Sequence, residues 1–189
     1  MSKHTIVALV QNRPGVLNRI ASKWRQRGFN IESLAVGHSE IPGLSRMTFT
    51  VDGTTTDVDQ VLKQMDKIVE VVKVSDLTEH EMVHRELALM KVAAGTEQRS
   101  AIIDIVEVFR AKVVDVAPET LVVEALGTED KVDAIIEMLR PYGIKELVRT
   151  GRIAMTRGSA TPMAVDGKQF ESHRFRPAGE GKAKVGSLI

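Results

Sequence analysis

The sequence predicts an α+β protein built from two ferredoxin-like βαββαβ units in tandem, followed by a flexible C-terminal tail. Short β-rich runs and amphipathic helical stripes recur in the same order twice, once before residue 77 and once after residue 84. Each unit is about 75 residues long, the size of a small two-layer domain with helices on one face of an antiparallel sheet. From Ser159 onward the periodicity ends among Pro162, Gly167, Pro177, Gly179, Gly181 and Gly186, which predicts a mobile stretch. The expected boundaries are therefore 1–76, a linker at 77–84, a second unit at 85–158 and a tail at 159–189.

The elements follow in order. Ile6–Val10 reads as a strand stopped by Asn12-Arg13-Pro14-Gly15, and Leu17, Ile20, Ala21 and Trp24 recur at helical spacing until Gly28. Asn30–His38 and Leu44–Val51 read as a hairpin across Glu40-Ile41-Pro42-Gly43, with Met47, Phe49 and Val51 alternating against Arg46, Thr48 and Thr50. Thr54-Thr55-Thr56-Asp57 offers N-cap chemistry to a helix striped by Val58, Val61, Leu62, Met65 and Ile68, and Val71–Ser75 closes the unit. The second round opens with Leu87–Val92 and a helix carrying Ile102, Ile103, Val106 and Phe109. A hairpin, Lys112–Val116 and Thr120–Leu126, leads to a helix capped by Thr128 and striped by Val132, Ile135, Ile136 and Leu139. Ile144–Val148 and Ile153–Met155 close it. Domains of this size bury only about 60% of the surface of the unfolded chain, and the first strand is apolar on both faces. Its second face, or an open sheet edge, is expected to need a partner, so an oligomer is predicted in which sheets join edge to edge or stack.

Composition narrows the function. The 189 residues include no cysteine, 43% apolar and 27% charged residues, and 26 basic against 25 acidic side chains for a net charge of +1. Disulfides and thiol chemistry are excluded, and no overall field draws the chain to nucleic acid or membrane. The start runs into only five consecutive apolar residues, Ile6–Val10, against about 7–15 for a signal h-region and about 20 for a membrane helix, so a cytoplasmic protein is expected.

Among candidate sites, the loop Gln11-Asn12-Arg13-Pro14-Gly15-Val16 joins a strand end to a helix start, where first-turn N–H groups lack intrahelical partners and can accept an anion. Pro14 fixes the local backbone, Gly15 permits close approach, and without a Lys the loop suits a small carboxylate better than a phosphate. The same residues also make an ordinary turn. His80-Glu81-Met82-Val83-His84 spells a zincin-like motif, but it sits at the joint between units and is expected to be a solvated linker. An RNA-recognition reading rests on Phe49 alone, and an acylphosphatase-like one on Arg13; no nucleophile or paired carboxylates accompany them, so catalysis by this chain alone is not expected.

Taken together, Asn12 through Ile20, Arg27 through Leu34 and Leu44 through Thr48 closely resemble the ACT domain of the acetolactate (acetohydroxyacid) synthase small regulatory subunit. The resemblance continues through Arg85–Val92, Phe109–Val116 and Gly151–Gly158, covering roughly residues 3–158. It implies an N-terminal ACT domain for effector binding and dimerisation, an ACT-like C-terminal domain, a large catalytic subunit that carries thiamine diphosphate, Mg2+ and FAD, and no cofactor in this chain. It also implies that valine lies between paired ACT domains, touching Asn12, Pro14, Gly15, Val16 and Leu17 of one and Asn30 and Ile31 of the other. The amides of Gly15, Val16 and Leu17 would take its carboxylate, with Leu17 and Ile31 lining a slot for its side chain. Core packing is the competing role for Leu17 and Ile31, and a simple turn for Asn30. In the second unit the equivalent loop, Ala93-Ala94-Gly95-Thr96-Glu97, has no Asn-x-Pro-Gly copy and is expected to serve scaffolding and large-subunit contact; Ala111 stands where relatives often carry glycine. A free-standing ACT-type amino-acid sensor acting on another partner is the alternative reading.

Overall fold

The structure, a computed structural model, describes residues 3–159 and 161–165. The first unit contains β1 (Lys3–Gln11), α1 (Val16–Gln26), β2 (Ser33–His38), β3 (Leu44–Asp52), α2 (Val58–Asp66) and β4 (Val71–Asp76). The second contains β5 (Met82–Ala93), α3 (Arg99–Val108), β6 (Lys112–Ala117), β7 (Thr120–Gly127), α4 (Glu129–Leu139), β8 (Ile144–Arg149) and β9 (Ile153–Thr156). The antiparallel sheets run β2-β3-β1-β4 and β6-β7-β5-β8, with β9 paired to the first part of β5. Two ferredoxin-like units stand in tandem, as the sequence predicts.

Alternation along β1 divides it between two cores. Ile6, Ala8 and Val10 face α1 and α2 and meet Trp24, Phe49, Val61 and Met65. Trp24 stacks on Phe49 with centroids 4.9 Å apart, so Phe49 is core and offers no platform to a base. The buried stripe of α1 is Val16, Ile20 and Trp24, at i, i+4 and i+8. Ile20 and Trp24 are buried as expected, whereas Val16 takes the inward place expected for Leu17, and Leu17 at 44% exposure and Ala21 turn outward. The stripe of α4 matches expectation, with Val132, Ile135, Ile136 and Leu139 all buried.

The second face of β1, one of the two places where a partner is expected, is sealed within the chain. Val7 and Leu9 pack with Leu44, Leu77, Ala154 and Met163, so β9 and residues 161–165 cover them. Thr48 and Thr50, expected to alternate with the apolar face of β3, are buried as well, as is Thr5. The Arg46 guanidinium donates to the Ala154 carbonyl at 2.9 Å and Lys73 to that of Ala164 at 2.8 Å. Part of the expected tail is therefore packed structure, because Met163 and Val165 supply apolar area where β1 needs it. Its remainder, 166–189, lies outside the described residues.

The expected linker is also shorter. Met82, Val83, His84 and Arg85 pair with Thr156, Met155, Ala154 and Ile153, so β5 begins five residues before Leu87. Asn30–Glu32 precede β2, which starts at Ser33 rather than Asn30.

Helix ends show local chemistry. Asp57 caps α2 by accepting from the Gln60 N–H at 3.1 Å. Thr128 stands at the N-cap of α4 without a side-chain bond. After α1, Gly28 takes the left-handed conformation (φ 70) while the Phe29 N–H reaches the Trp24 carbonyl at 3.1 Å. After α3, Arg110 holds the equivalent position at φ 49, with the Ala111 N–H donating to Val106 at 2.8 Å. The left-handed residue is thus Arg110, and Ala111 needs no glycine. A Cβ in this region costs about 1–2 kcal/mol, partly offset by glycine's chain entropy, so Arg110→Gly should stabilise the protein by roughly 0.5–1 kcal/mol in urea titration.

Candidate functional site

The loop after β1 is fixed from both sides. The Gln11 N–H donates to the Glu70 carbonyl at 2.9 Å, and the Asn12 N–H to the Gly43 carbonyl at 2.9 Å. Gly15 is the N-cap of α1 at φ 85, a conformation that side chains disfavour. Its carbonyl accepts from the Arg19 N–H at 2.9 Å, and the Val16 N–H reaches the Arg13 carbonyl at 3.4 Å. No side chain caps α1 and no acidic residue stands in its first turn, so the positive helix end keeps room for an external carboxylate.

Asn12, Pro14, Gly15 and Leu17 are exposed around that helix end, whereas the Val16 side chain is only 4% exposed, leaving its backbone as its contribution to the mouth. His38, at the end of β2, lies beside the loop with Nδ1 3.4 Å from the Asn12 amide nitrogen. The sequence reading missed this neighbour, since nothing in a strand-end histidine points to a loop 26 residues earlier.

Asn30 and Ile31 do not join this group within one chain. β1 and β2 both run antiparallel to β3, so they are parallel to each other, and Ser33 lies level with Thr5 through Thr50. The start of β2 is thus at the opposite end of the sheet from Gln11, roughly 20 Å away at the usual strand rise. Asn30 is exposed, while Ile31 packs partly against the first core, the competing role named for it.

The corresponding loop of the second unit is closed on itself. The Arg99 guanidinium binds the carbonyls of Ala94, Ala117 and Pro118 at 3.1, 2.7 and 2.7 Å, and the Ala94 N–H donates to Glu119 at 3.0 Å. The β6–β7 turn therefore lies against the place that a ligand would occupy.

His80 and His84 are not on a helix. His84 lies in β5 opposite Ala154, so the one-turn spacing that a zincin motif needs is absent. Burial, with Arg152 and Arg85 near by, pushes the His84 imidazole down from its ordinary value. Among the described residues no helix is long and apolar enough to cross a membrane.

Comparison with known proteins identifies the family of both units. A model of the AHAS small subunit-like ACT domain matches residues 6–73, and one of the small subunit of acetolactate synthase matches 85–158. The probable acetolactate synthase small subunit of Archaeoglobus fulgidus is 52% identical over 157 residues, covering 83% of this chain and 98% of that protein. The acetolactate synthase small subunit of Bacillus subtilis is 48% identical over 159 residues, covering 83% and 92%. The crystal structure of the small subunit from Thermotoga maritima superposes with a TM-score of 0.77 at 42% identity, covering 85% of this chain and 100% of that one. The chain belongs to the acetolactate synthase small-subunit family.

Proposed function

We propose that this chain is the regulatory partner of the large subunit of acetolactate synthase, in the cytoplasm, raising its conversion of two pyruvates to 2-acetolactate and CO2 and making it subject to feedback inhibition by valine. Thiamine diphosphate, Mg2+ and FAD would belong to the large subunit. The carrying observation is the pair of half-sites at opposite ends of the first sheet: an uncapped helix mouth at Asn12–Leu17 and an exposed Asn30 beside Ile31.

A second copy reunites them. β2 is an edge strand of its sheet, with β3 as its neighbour. Antiparallel pairing of two β2 edges about a twofold axis sets the start of one opposite the end of the other, bringing Asn30 and Ile31 toward the partner's Asn12–Leu17 loop. The helix mouth then takes the valine carboxylate, Asn12 and Asn30 meet its polar groups, and exposed Leu17 faces its side chain. Contact with the large subunit falls to the second unit, whose outer sheet face exposes Leu89, Leu126 and Val148 at 38%, 52% and 55%.

Adding the chain to purified large subunit should raise acetolactate formation, and titrating valine should lower it again. Asn30→Ala should weaken valine binding about tenfold by calorimetry, the loss of one or two hydrogen bonds. No stimulation would overturn the regulatory reading; valine binding without any effect on that enzyme would favour an amino-acid sensor serving another partner.

A further inference from the structure

Between the units lies a polar cleft of about 390 Å³, lined on one side by Lys3, Glu32, Ser33 and Thr50 and on the other by Glu129 and Arg152, among others. Its walls are tied together rather than merely close. The Lys3 ammonium pairs with Glu32 at 3.2 Å and also with Glu129. Arg152 donates to Glu129 at 2.6 Å and to the fully buried Thr5 hydroxyl at 2.9 Å. Its backbone N–H points at Ser33 Oγ, 3.5 Å away, and Ser33 is hydrogen-bonded to Thr50 at 2.6 Å. Gly151 packs so closely that a Cβ there would lie 3.0 Å from the Ser33 Cβ. The Arg152 side chain is only 12% exposed, so solvent screens these bonds less than it would a surface pair. Burial opposes the charge on Glu129, yet the bonds from Lys3 and Arg152 prevail and hold its carboxyl below the usual carboxylate range.

The position of this clasp gives it meaning. Glu32 and Ser33 directly follow Asn30 and Ile31, while Glu129 is the first residue of α4 and Arg152 lies between β8 and β9. A change in the path of residues 30–31 must therefore pull on groups anchored in the second unit. We propose that the Glu32–Lys3–Glu129–Arg152 clasp couples the start of β2 to the C-terminal unit, and so carries valine occupancy toward the surface that meets the large subunit. The second half of this statement rests on the effector reading above; the first stands on the geometry. Arg152 and Glu129 act as positioning residues, and by linkage a partner bound to the second unit must in turn alter affinity at the first.

The test uses the full chain with Glu129→Gln, which keeps the side-chain shape and removes the charge, and Glu137→Gln as a control in the separate Glu137–Arg140 pair at the exposed end of α4. In the chain alone, amide exchange at Ser33–Ala35 should quicken about fivefold or more in the Glu129 variant, with α3 unchanged. In the reconstituted complex at saturating valine, occupancy being checked by calorimetry, the fraction of activity lost should shrink about fivefold or more. The control should behave as wild type in both. Unchanged exchange at Ser33–Ala35, or a uniform rise that includes α3, overturns the clasp. Altered exchange with undiminished inhibition overturns its role in signalling. Failure of the unmutated chain to bind valine, with the exchange response intact, overturns the effector reading and supports the coupling of the units.

Discussion

Gly15→Asp is expected to weaken valine binding by about 100-fold or more, the largest change that a single substitution should produce at the effector site. Two effects point the same way. A carboxylate at the N-cap would occupy the first-turn amides that α1 otherwise leaves uncapped, and would repel the ligand's own carboxylate. The backbone there is at φ 85, so any side chain adds strain of about 1–2 kcal/mol, although open space surrounds the position and a Cβ would meet nothing within 4 Å. The fold should survive, since both sheets and cores are untouched. Calorimetric titration of the folded variant checks the prediction, and near-native affinity would remove Gly15 from the site. Gly15→Ala separates the carboxylate's effects from backbone strain, keeping the strain while adding no charge.

Arg149→Ala should destabilise the protein by about 3 kcal/mol, enough to lower Tm by roughly 6–12 °C for a chain of this size. Glu86 is buried, its side chain 6% exposed, and both carboxylate oxygens accept from the Arg149 guanidinium at 2.7 Å. A third bond joins Arg149 to Asp133 at 2.7 Å, tying β8 to α4. Deleting the guanidinium strands a carboxylate away from water, which typically costs about 3–5 kcal/mol; partial exposure of Arg149 places the value at the lower end. The double variant Glu86→Leu with Arg149→Met should recover most of the loss, because the pair itself adds little beyond cancelling its own desolvation. Urea unfolding of the wild type, Arg149→Ala and the double variant measures both effects, and a single-variant loss under about 1 kcal/mol would show that water reaches Glu86.

The repeat was legible because each helix had to show an apolar stripe and each buried strand an apolar run. The stripe of α4 could be read residue for residue. The stripe of α1 could not: Val16 and Leu17 are adjacent apolar residues at a helix start, and only the geometry of the glycine cap decides which faces inward. Met82–His84 looked like part of a linker because it continues a polar stretch from Asp76, yet its partner β9 covers the neighbouring unit rather than filling a core of its own. Met163 gave no periodic signal, being a single apolar contact within a stretch of turn residues. At the site, the anion-accepting loop was visible as Asn-x-Pro-Gly between strand and helix. The pairing proposed between Asn30 and that loop came only from the family resemblance, and Arg152 and Glu129 were invisible because ion pairs between distant segments leave no local pattern.

The sealing of Val7 and Leu9 by Ala154 and Met163 has a consequence during synthesis. The first sheet can assemble once β4 leaves the ribosome, but the strand that covers it, β9, follows only after the whole second sheet. At about 5–20 residues per second the nascent domain carries a naked greasy surface for roughly 4–16 s before β9 emerges. A ribosome-bound chaperone, or co-translational pairing with a sister chain, would find that surface available in this interval.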